Sequence, residues 1–349
     1  TTDPQDRIWG AIKGLAGSQG DPYTVFFPPE EEKMFKGDIA GNFEGVGMEI
    51  GLKDGAMTVV SPIKGSPAEK AGVRAGDRII KINDQSTLDL PVDKAVKLIR
   101  GPKGTTIKIL FAREATGEQI ERSIVRDVID IPTIQTEMRA GTGTSTTTAS
   151  GTGLREDGIF VIRLFSFTAQ APNLFRTALR EFIQSGSHKL IIDLRGNPGG
   201  YLDAAWDMSS WFLPLGKTIV IEDFGKNKSN QIYKSKGYNI FGKNLKLIIL
   251  VDAGSASASE IFAGALQEHG IGKLVGVKTF GKGSVQELVP ITADTSLKVT
   301  IARWLTPNGH NLSSDGLAPD YEVKITQKDL ETKNDTQMNK AVEILRKEP

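Results

Sequence analysis

Apolar and polar residues alternate in short runs over the first third of the chain, and glycines separate one run from the next. The clearest runs have the length of β-strands and cover residues 46–52, 56–63, 77–83 and 106–112. One segment differs, because Val92, Val96 and Ile99 follow a helical spacing that ends at Gly101. The pattern predicts a small, partly open β-barrel with one helix packed against it.

After Gly158 the pattern changes, and apolar runs of strand length alternate with longer helical runs. The strand-like runs cover residues 159–167, 189–196 and 245–252, and the helical runs cover 173–186, 203–214 and the residues after a serine-rich turn at 254–259. Such alternation is typical of an α/β core. A further helical pattern spans residues 336–347, and no fixed-period repeat indicates a solenoid.

These patterns divide the chain into three parts. Residues 1–38 form an N-terminal helical segment, residues 39–127 a β-rich domain and residues 128–349 the α/β core. The first part has helical patterns at residues 8–17 and from Pro29, where a proline before a run of glutamates favours a helix start. Residues 140–153 are rich in Thr and Gly, which predicts a surface loop or, as the alternative, an exposed pair of strands.

Composition narrows the possible functions. The 349 residues include 39% apolar residues, enough for a substantial core, and the formal net charge is +1. Basic residues are scattered among acidic ones, which argues against nucleic-acid binding. The absence of cysteine excludes disulfides and thiolate chemistry. No apolar run has the length of a membrane span, and a start at Thr1 without a signal-like segment suggests a processed or truncated form of something longer.

The serine-rich turn at residues 254–259 could supply a nucleophile. A serine hydroxyl needs a base, and the three histidines, His188, His269 and His310, lie in no recognisable triad context. A lysine can act as the base if burial among apolar groups lowers its pKa enough to leave the amine neutral. Lys282, between Phe280 and Val285, is the best candidate.

Each of these residues also has a simpler interpretation. Local reasoning does not choose among Ser255, Ser257 and Ser259, and a serine in such a turn is more often a helix N-cap. Lys282 could be exposed on a hairpin. Gln286 could face solvent, although four residues of extended chain would place it on the same face as Lys282, where it could orient the amine.

A second turn, at residues 195–200, follows an apolar strand and ends in two adjacent glycines. Gly199 and Gly200 permit a backbone with positive φ, which can direct amide N–H groups to one point, as in an oxyanion hole. An ordinary strand-to-helix turn is the alternative, since Asn-Pro-Gly sequences are common in turns.

Five features in this order resemble the carboxyl-terminal processing proteases, Ser/Lys peptidases with an embedded PDZ domain. They are GDPYT at 20–24, a PDZ-like stretch, DLRGNPGG at 193–200, GSASASEIFAGALQ at 254–267 and TFGKGSVQ at 279–286. The resemblance implies an α/β core of the crotonase or ClpP type, with Ser257 as nucleophile, Lys282 as base and Gln286 as the third member. It also implies an oxyanion hole made by Ala258 and a glycine of the 195–200 turn. No metal or organic cofactor is expected.

The PDZ-like stretch indicates how a substrate is chosen. Residues 44–51 resemble the loop and strand with which PDZ domains bind a terminal carboxylate, and residues 65–85 resemble a region common to bacterial PDZ domains. The residues expected to contact the peptide are Gly45, Val46, Gly47, Met48 and Ile50. The apolar groove between Ile50 and the helix at 92–99 predicts partners with free, apolar C-termini; a PDZ fold that only packs on the core is the alternative.

The resemblance further implies an extracytoplasmic location, in a bacterial periplasm or cell envelope or in a lumen, and is compatible with a homodimer. Two other functions stay open at this point. One is a non-catalytic PDZ adaptor, against which the intact Ser257, Lys282 and Gln286 argue. The other is a hydrolase or acyl-transfer enzyme that acts on a thioester, although no segment resembles a CoA-binding site.

Overall fold

The computed structural model describes residues 3–21, 23–40, 42–53, 55–63, 65–74, 76–113, 118–130, 133–136, 153–242, 244–332 and 334–347. The chain forms two compact units, one of residues 33–131 and one of residues 1–32 together with 132–349. The predicted limits of the β-rich domain, 39 and 127, lie within the first of these units.

The N-terminal elements and those of the unit 33–131 run in chain order. They are α1 (Pro4–Gly17), β1 (Val25–Phe27), α2 (Pro29–Ala40), β2 (Asn42–Gly45), β3 (Met48–Lys53), β4 (Ala56–Pro62), α3 (Pro67–Lys70), β5 (Asp77–Ile82), β6 (Gln85–Ser86), α4 (Val92–Ile99), β7 (Thr106–Arg113), β8 (Gln119–Val125) and β9 (Asp127–Asp130).

The unit 33–131 is built on an open antiparallel sheet of strand order β3-β4-β5-β7-β8. Strand β6 pairs with β5, and β2 pairs separately with β9. The buried residues Val59, Ile79 and Phe111 form its core with Ala95 and Ile99 of α4. The predicted partly open β-barrel with one helix against it is confirmed as an open arrangement: the described strands form no closed barrel, and β3 and β8 are the end strands of the sheet.

The remaining elements belong to the larger unit. They are β10 (Ile134–Thr136), β11 (Ile159–Leu164), α5 (Ala171–Gln184), β12 (Lys189–Asp193), α6 (Leu202–Ser209), β13 (Thr218–Asp223), a 3-10 turn (Gly225–Asn227), β14 (Gln231–Lys234), β15 (Lys246–Val251), α7 (Ala258–Glu268), β16 (Gly272–Gly276), β17 (Ser284–Pro290), β18 (Ser296–Leu305), α8 (Leu312–Asp315), β19 (Tyr321–Glu322), α9 (Gln327–Glu331) and α10 (Thr336–Lys347).

A six-stranded sheet of order β10-β11-β12-β15-β16-β19 forms the centre of the larger unit. Its strands are parallel except for β10. Side chains alternate between its faces, so Phe160 and Ile162 pack with α5, α6 and α7, while Ile159 and Val161 pack with α10. The predicted α/β core is confirmed.

Two connections leave this sheet at the same edge. Strands β12 and β15 are parallel neighbours, with Asp193 opposite Leu250. The turn after β12 and the serine-rich turn after β15 therefore begin side by side, as expected for the carboxyl ends of parallel strands.

A second, antiparallel sheet has the order β1-β18-β13-β14, with β17 also paired to β18. It brings the chain after residue 20 beside the connection that contains Lys282, a pairing that the sequence analysis did not predict. The predicted helix at 336–347 is present as α10. The Thr/Gly-rich segment at 140–153 lies outside the described residues except for Gly153.

Candidate active site

The structure distinguishes the three serines of the 254–259 turn. The Ser255 hydroxyl is buried and donates to the Leu194 carbonyl at 2.8 Å, and the Ser259 hydroxyl is buried and donates to the Asn197 carbonyl at 2.9 Å. Ser257 is partly exposed, and its hydroxyl donates to no acceptor among the described residues. The hydroxyls of Ser255 and Ser259 thus link the serine-rich turn to the turn after β12. Of the three serines, only Ser257 has a hydroxyl that donates to no described residue.

Ser257 has an unusual backbone conformation. Its φ is 56° and its ψ is −116°, a combination that non-glycine residues rarely adopt and that costs about 1–3 kcal/mol. Helix α7 begins at the next residue, Ala258, whose N–H makes no hydrogen bond to any described residue. Strand, strained turn and helix therefore place an exposed hydroxyl next to a free amide donor, as in other serine nucleophile turns.

Asn197 connects the turn after β12 to the serine turn. Its side chain is buried, its Nδ2 donates to the Leu164 carbonyl at 2.8 Å and its Oδ1 accepts the N–H of Gly199 at 2.9 Å. Its own carbonyl accepts the N–H of Ala256 at 3.0 Å. These bonds fix both turns against each other.

The two glycines leave no room for side chains. A Cβ at Gly199 would lie 2.8 Å from the Ser257 Cβ and 2.9 Å from the Ala258 nitrogen, and a Cβ at Gly200 would lie 2.3 Å from the Phe167 carbonyl oxygen. Gly199 thus lies against the serine-rich turn, with φ at 101°.

The N–H of Gly199 is occupied by Asn197, so it is not a free donor in this conformation. The N–H of Gly200 bonds to no described residue. Of the two glycines predicted as oxyanion donors, the geometry therefore favours Gly200.

Lys282 lies in the loop before β17 and is partly buried. Burial lowers its pKa, and the nearby Glu260 opposes this by raising it. Its Nζ lies 5.6 Å from the centre of the Tyr23 ring. Of the two apolar residues between which Lys282 lies in the sequence, Phe280 is 58% exposed and Val285 is buried. Tyr23, in the GDPYT segment, is a neighbour that the sequence analysis missed.

Glu260 holds the Ser257 turn and the Lys282 loop together. This carboxylate is fully buried; its Oε2 accepts the N–H groups of Ser257 and Lys282, each at 2.9 Å. Its Oε1 accepts the N–H of Gly281 at 2.7 Å and the hydroxyl of Thr279 at 2.6 Å. Sequence reasoning missed this residue, although a glutamate three residues after the N-cap serine is the capping-box spacing that could have indicated it.

A Glu260→Gln variant is expected to lower kcat about 10–100-fold, because one of its two acceptor oxygens becomes an NH2 group that faces N–H donors. Leaving such donors without a partner costs about 1–3 kcal/mol, so the free energy of unfolding should also fall. Steady-state kinetics and thermal unfolding measure both effects. The matched control is Glu343→Gln on α10, where the exposed carboxylate pairs with Lys340 and Lys347. Equal losses of kcat and of unfolding free energy in the two variants would contradict a role for Glu260 in holding the two segments together.

Gln286 makes no hydrogen bond to Lys282 among the described residues. Its Nε2 donates to the carbonyl of Ser284 at 3.1 Å and to the hydroxyl of the same residue. The expectation that Lys282 and Gln286 share one extended segment is wrong, because β17 starts only at Ser284 and has an irregularity between Val285 and Gln286. Among the described residues, Ser257, Lys282 and Gln286 make no hydrogen bonds with one another.

The residues predicted to bind a peptide C-terminus lie at the start of the end strand β3. Gly47 has φ at 77°, and a Cβ there would lie 2.4 Å from the Ser66 Cβ. Its carbonyl accepts the Ser66 hydroxyl at 2.8 Å, which fixes the loop. Within the described residues, no hydrogen bond uses the N–H of Val46 or Gly47. Gly45 lies at the end of β2, opposite Asp127, rather than in the loop itself.

The groove beside this strand is apolar. Met48 and Ile50 of β3 and Val92 of α4 are partly buried and pack against the core of the unit 33–131. Because β3 ends the sheet order, its outer edge is available to an added strand.

Comparison with known proteins agrees with this architecture. Residues 158–323 match the model of peptidase family S41, and residues 58–113 match that of a PDZ domain. The carboxy-terminal processing protease CtpA of Bacillus subtilis is 37% identical over 324 residues, which are 93% of this chain and 65% of that protein. A probable CtpA-like serine protease of Staphylococcus epidermidis is 35% identical over 90% of this chain and 60% of its own length. The chain thus spans less than two thirds of these curated relatives.

Solved structures share the fold. The photosystem II D1 C-terminal processing protease matches 98% of this chain and 89% of its own, with a TM-score of 0.62 and 25% identity. A putative S41 protease from Bacteroides fragilis matches 99% of this chain and 90% of its own, with a TM-score of 0.58 and 18% identity. None of the helices in the described residues has the length and apolar character to cross a membrane. Through residues 158–323 this chain is similar to peptidase family S41, and through residues 58–113 it is similar to PDZ domains.

Proposed function

We propose that this chain is a serine endopeptidase that recognises protein C-termini and cleaves peptide bonds with Ser257 and Lys282. One observation carries the proposal: Ser255 and Ser259 donate to backbone carbonyls, whereas Ser257 presents its hydroxyl from a strained turn beside the two glycines. Glu260 links that turn to the loop of the partly buried Lys282.

The first half of the reaction forms an ester. The Ser257 oxygen attacks the peptide carbonyl and gives its proton to the neutral Lys282 amine. The resulting oxyanion accepts hydrogen bonds from the N–H groups of Ala258 and Gly200, both unoccupied among the described residues. The tetrahedral intermediate then breaks its C–N bond, and the leaving amine takes the proton from Lys282.

The second half releases the product. Water attacks the acyl ester, Lys282 accepts a proton from the water, and Ser257 leaves with that proton as the carboxylate product departs. Gln286 would orient the Lys282 amine, which requires that its side-chain amide leave Ser284 and that Lys282 approach Ser257.

Conversion of an unstructured peptide, followed by mass spectrometry, tests the proposal, and the same enzyme should not hydrolyse an acyl-CoA thioester. Hydrolysis of the thioester alone would favour the acyl-transfer alternative.

The PDZ domain would hold the substrate by its terminal carboxylate. The N–H groups of Val46 and Gly47 would bind the carboxylate, and the peptide would pair with β3 as an added strand. The apolar groove formed with α4 favours an apolar last side chain.

We expect a peptide with a free apolar C-terminus to have a kcat/KM about 10–100-fold higher than the same peptide with an amidated C-terminus. Hydrogen bonds to a charged group are worth about 1.5–3 kcal/mol, and the amide cannot supply that charge. A third peptide that ends in aspartate tests the groove separately and should resemble the amide. Equal cleavage of the free acid and the amide would contradict C-terminal recognition.

An extracytoplasmic location and a homodimer are part of the proposal. Both rest on the resemblance to carboxyl-terminal processing proteases. Fractionation of cells that express the full-length protein checks the location, and sedimentation of the purified protein checks the dimer; a cytosolic monomer would contradict both.

A further inference from the structure

Arg195 is a partly buried arginine in the turn that precedes the two glycines. Its Nε and one terminal nitrogen donate to Asp193 at 2.9 and 2.7 Å. Its terminal nitrogens also donate to both carboxylate oxygens of Asp335 at 2.8 and 3.0 Å, and to the side-chain oxygen of Gln337 at 3.2 Å. These bonds match the five N–H donors of a guanidinium, so the position of this side chain is fully specified.

The charges of this cluster are complementary. Burial by itself would lower the pKa of Arg195, and the hydrogen bonds to Asp193 and Asp335 raise it above its ordinary value. Asp193 is itself 3% exposed. Loss of one carboxylate would leave a partly buried cation short of partners, which is costly.

Arg195 lies where the two catalytic turns meet. The next residue, Gly196, donates its N–H to Asp252 Oδ1 at 2.9 Å, and Asp252 is the first residue after β15. Asn197, one residue further, binds Gly199 and Ala256. A shift of Arg195 would therefore move the backbone that presents Gly200 and Ala258.

Asp335 connects this junction to the C-terminal helix. Its Oδ1 also accepts the N–H of Met338, as an N-cap of α10 does. Helix α10 packs on the face of the central sheet opposite to α7, through Met338, Leu345 and neighbouring residues. The catalytic turns are thus held from the other side of the sheet, 140 residues further along the chain.

We propose that Asp335 is a positioning residue, which orients the oxyanion turn through Arg195 and couples α10 to catalysis. The inference rests on the proposed peptidase function. Asp335 touches no reacting atom, so its effect should appear in kcat rather than in KM. A misplacement of about 1 Å in a reacting group can cost about 10²-fold in rate.

The test compares Asp335→Ser with Arg346→Gln. Serine keeps the N-cap of α10 but is too short to bind Arg195, and Arg346 is on the same helix, where it pairs with Asp157 at 3.3 Å. In Asp335→Ser we expect kcat to fall about 10–100-fold with KM changed less than about twofold. We also expect faster hydrogen exchange of the amides at residues 194–200. Arg346→Gln should show neither change. If Asp335→Ser does not fold, Asp335→Asn, which keeps one acceptor oxygen, takes its place.

The two readouts separate the outcomes. A loss of kcat together with faster exchange supports the proposal. Unchanged exchange, unchanged kcat or equal effects in Arg346→Gln would overturn it. If the wild-type protein cleaves no peptide, the proposed function fails on its own, and hydrogen exchange alone decides whether Asp335 orders the turn.

Discussion

A Lys282→Met variant is expected to lose at least about 10³-fold in kcat, because methionine matches the length of lysine but cannot accept the Ser257 proton. General-base catalysis typically contributes about 10²–10⁴-fold. Lys282→Arg should be equally impaired, since a guanidinium keeps its proton at every accessible pH and offers no free base. Peptide hydrolysis under saturating substrate measures the effect.

The control for this prediction is Lys278→Met, which removes an exposed amine four residues earlier on the same connection. It should keep wild-type kcat. Substantial activity in Lys282→Arg would contradict a neutral lysine base, because that variant can supply only charge.

A Ser257→Ala variant is expected to lose about 10⁴-fold or more in kcat, since no other hydroxyl of the turn is free to attack. Substrate binding should be retained, because the Ser257 hydroxyl donates to no acceptor among the described residues. Cleavage of an unstructured peptide with a free apolar C-terminus, followed by mass spectrometry, gives both the rate and the positions of cleavage.

Ser255→Ala and Ser259→Ala are the matched controls. Each removes a buried hydroxyl that donates to a backbone carbonyl, so each should lower the free energy of unfolding by about 1 kcal/mol and retain part of the activity. Complete loss in either control with normal cleavage by Ser257→Ala would move the nucleophile to that serine. Equal cleavage by all three variants would point to a contaminating protease or another catalytic residue.

The architecture could be predicted from the sequence because its strands and helices follow local patterns of apolar residues. Strand-length apolar runs that alternate with helical runs predicted the α/β core, and the helical spacing of Val92, Val96 and Ile99 predicted α4. Motif resemblance identified Ser257 where local chemistry left three serines equal. In the structure the three serines differ, because the hydroxyls of two of them donate hydrogen bonds to backbone carbonyls.

The remaining errors and omissions involve contacts that local patterns do not encode. Alternation of side chains along a strand wrongly predicted the relation of Gln286 to Lys282. Strand β17 begins only after Lys282 and is irregular just before Gln286. The burial of Lys282 involves Tyr23, which lies more than 250 residues earlier and reaches the site only through the pairing of β1 with β18. Asp335 is similarly remote from Arg195. Such partners depend on the sheet order, which no single segment of the sequence specifies.

The pH dependence of kcat/KM for the wild-type protein tests the lysine base most directly. Burial lowers the pKa of Lys282 from its ordinary value of 10.5, so the amine should be neutral and active above the lowered pKa and lose activity as the pH falls through it. We predict that kcat/KM rises with pH, with a slope of one on a logarithmic scale, and that the profile bends towards a plateau at a pKa below 10.5. A flat profile from weakly acidic to strongly alkaline pH would contradict a lysine base.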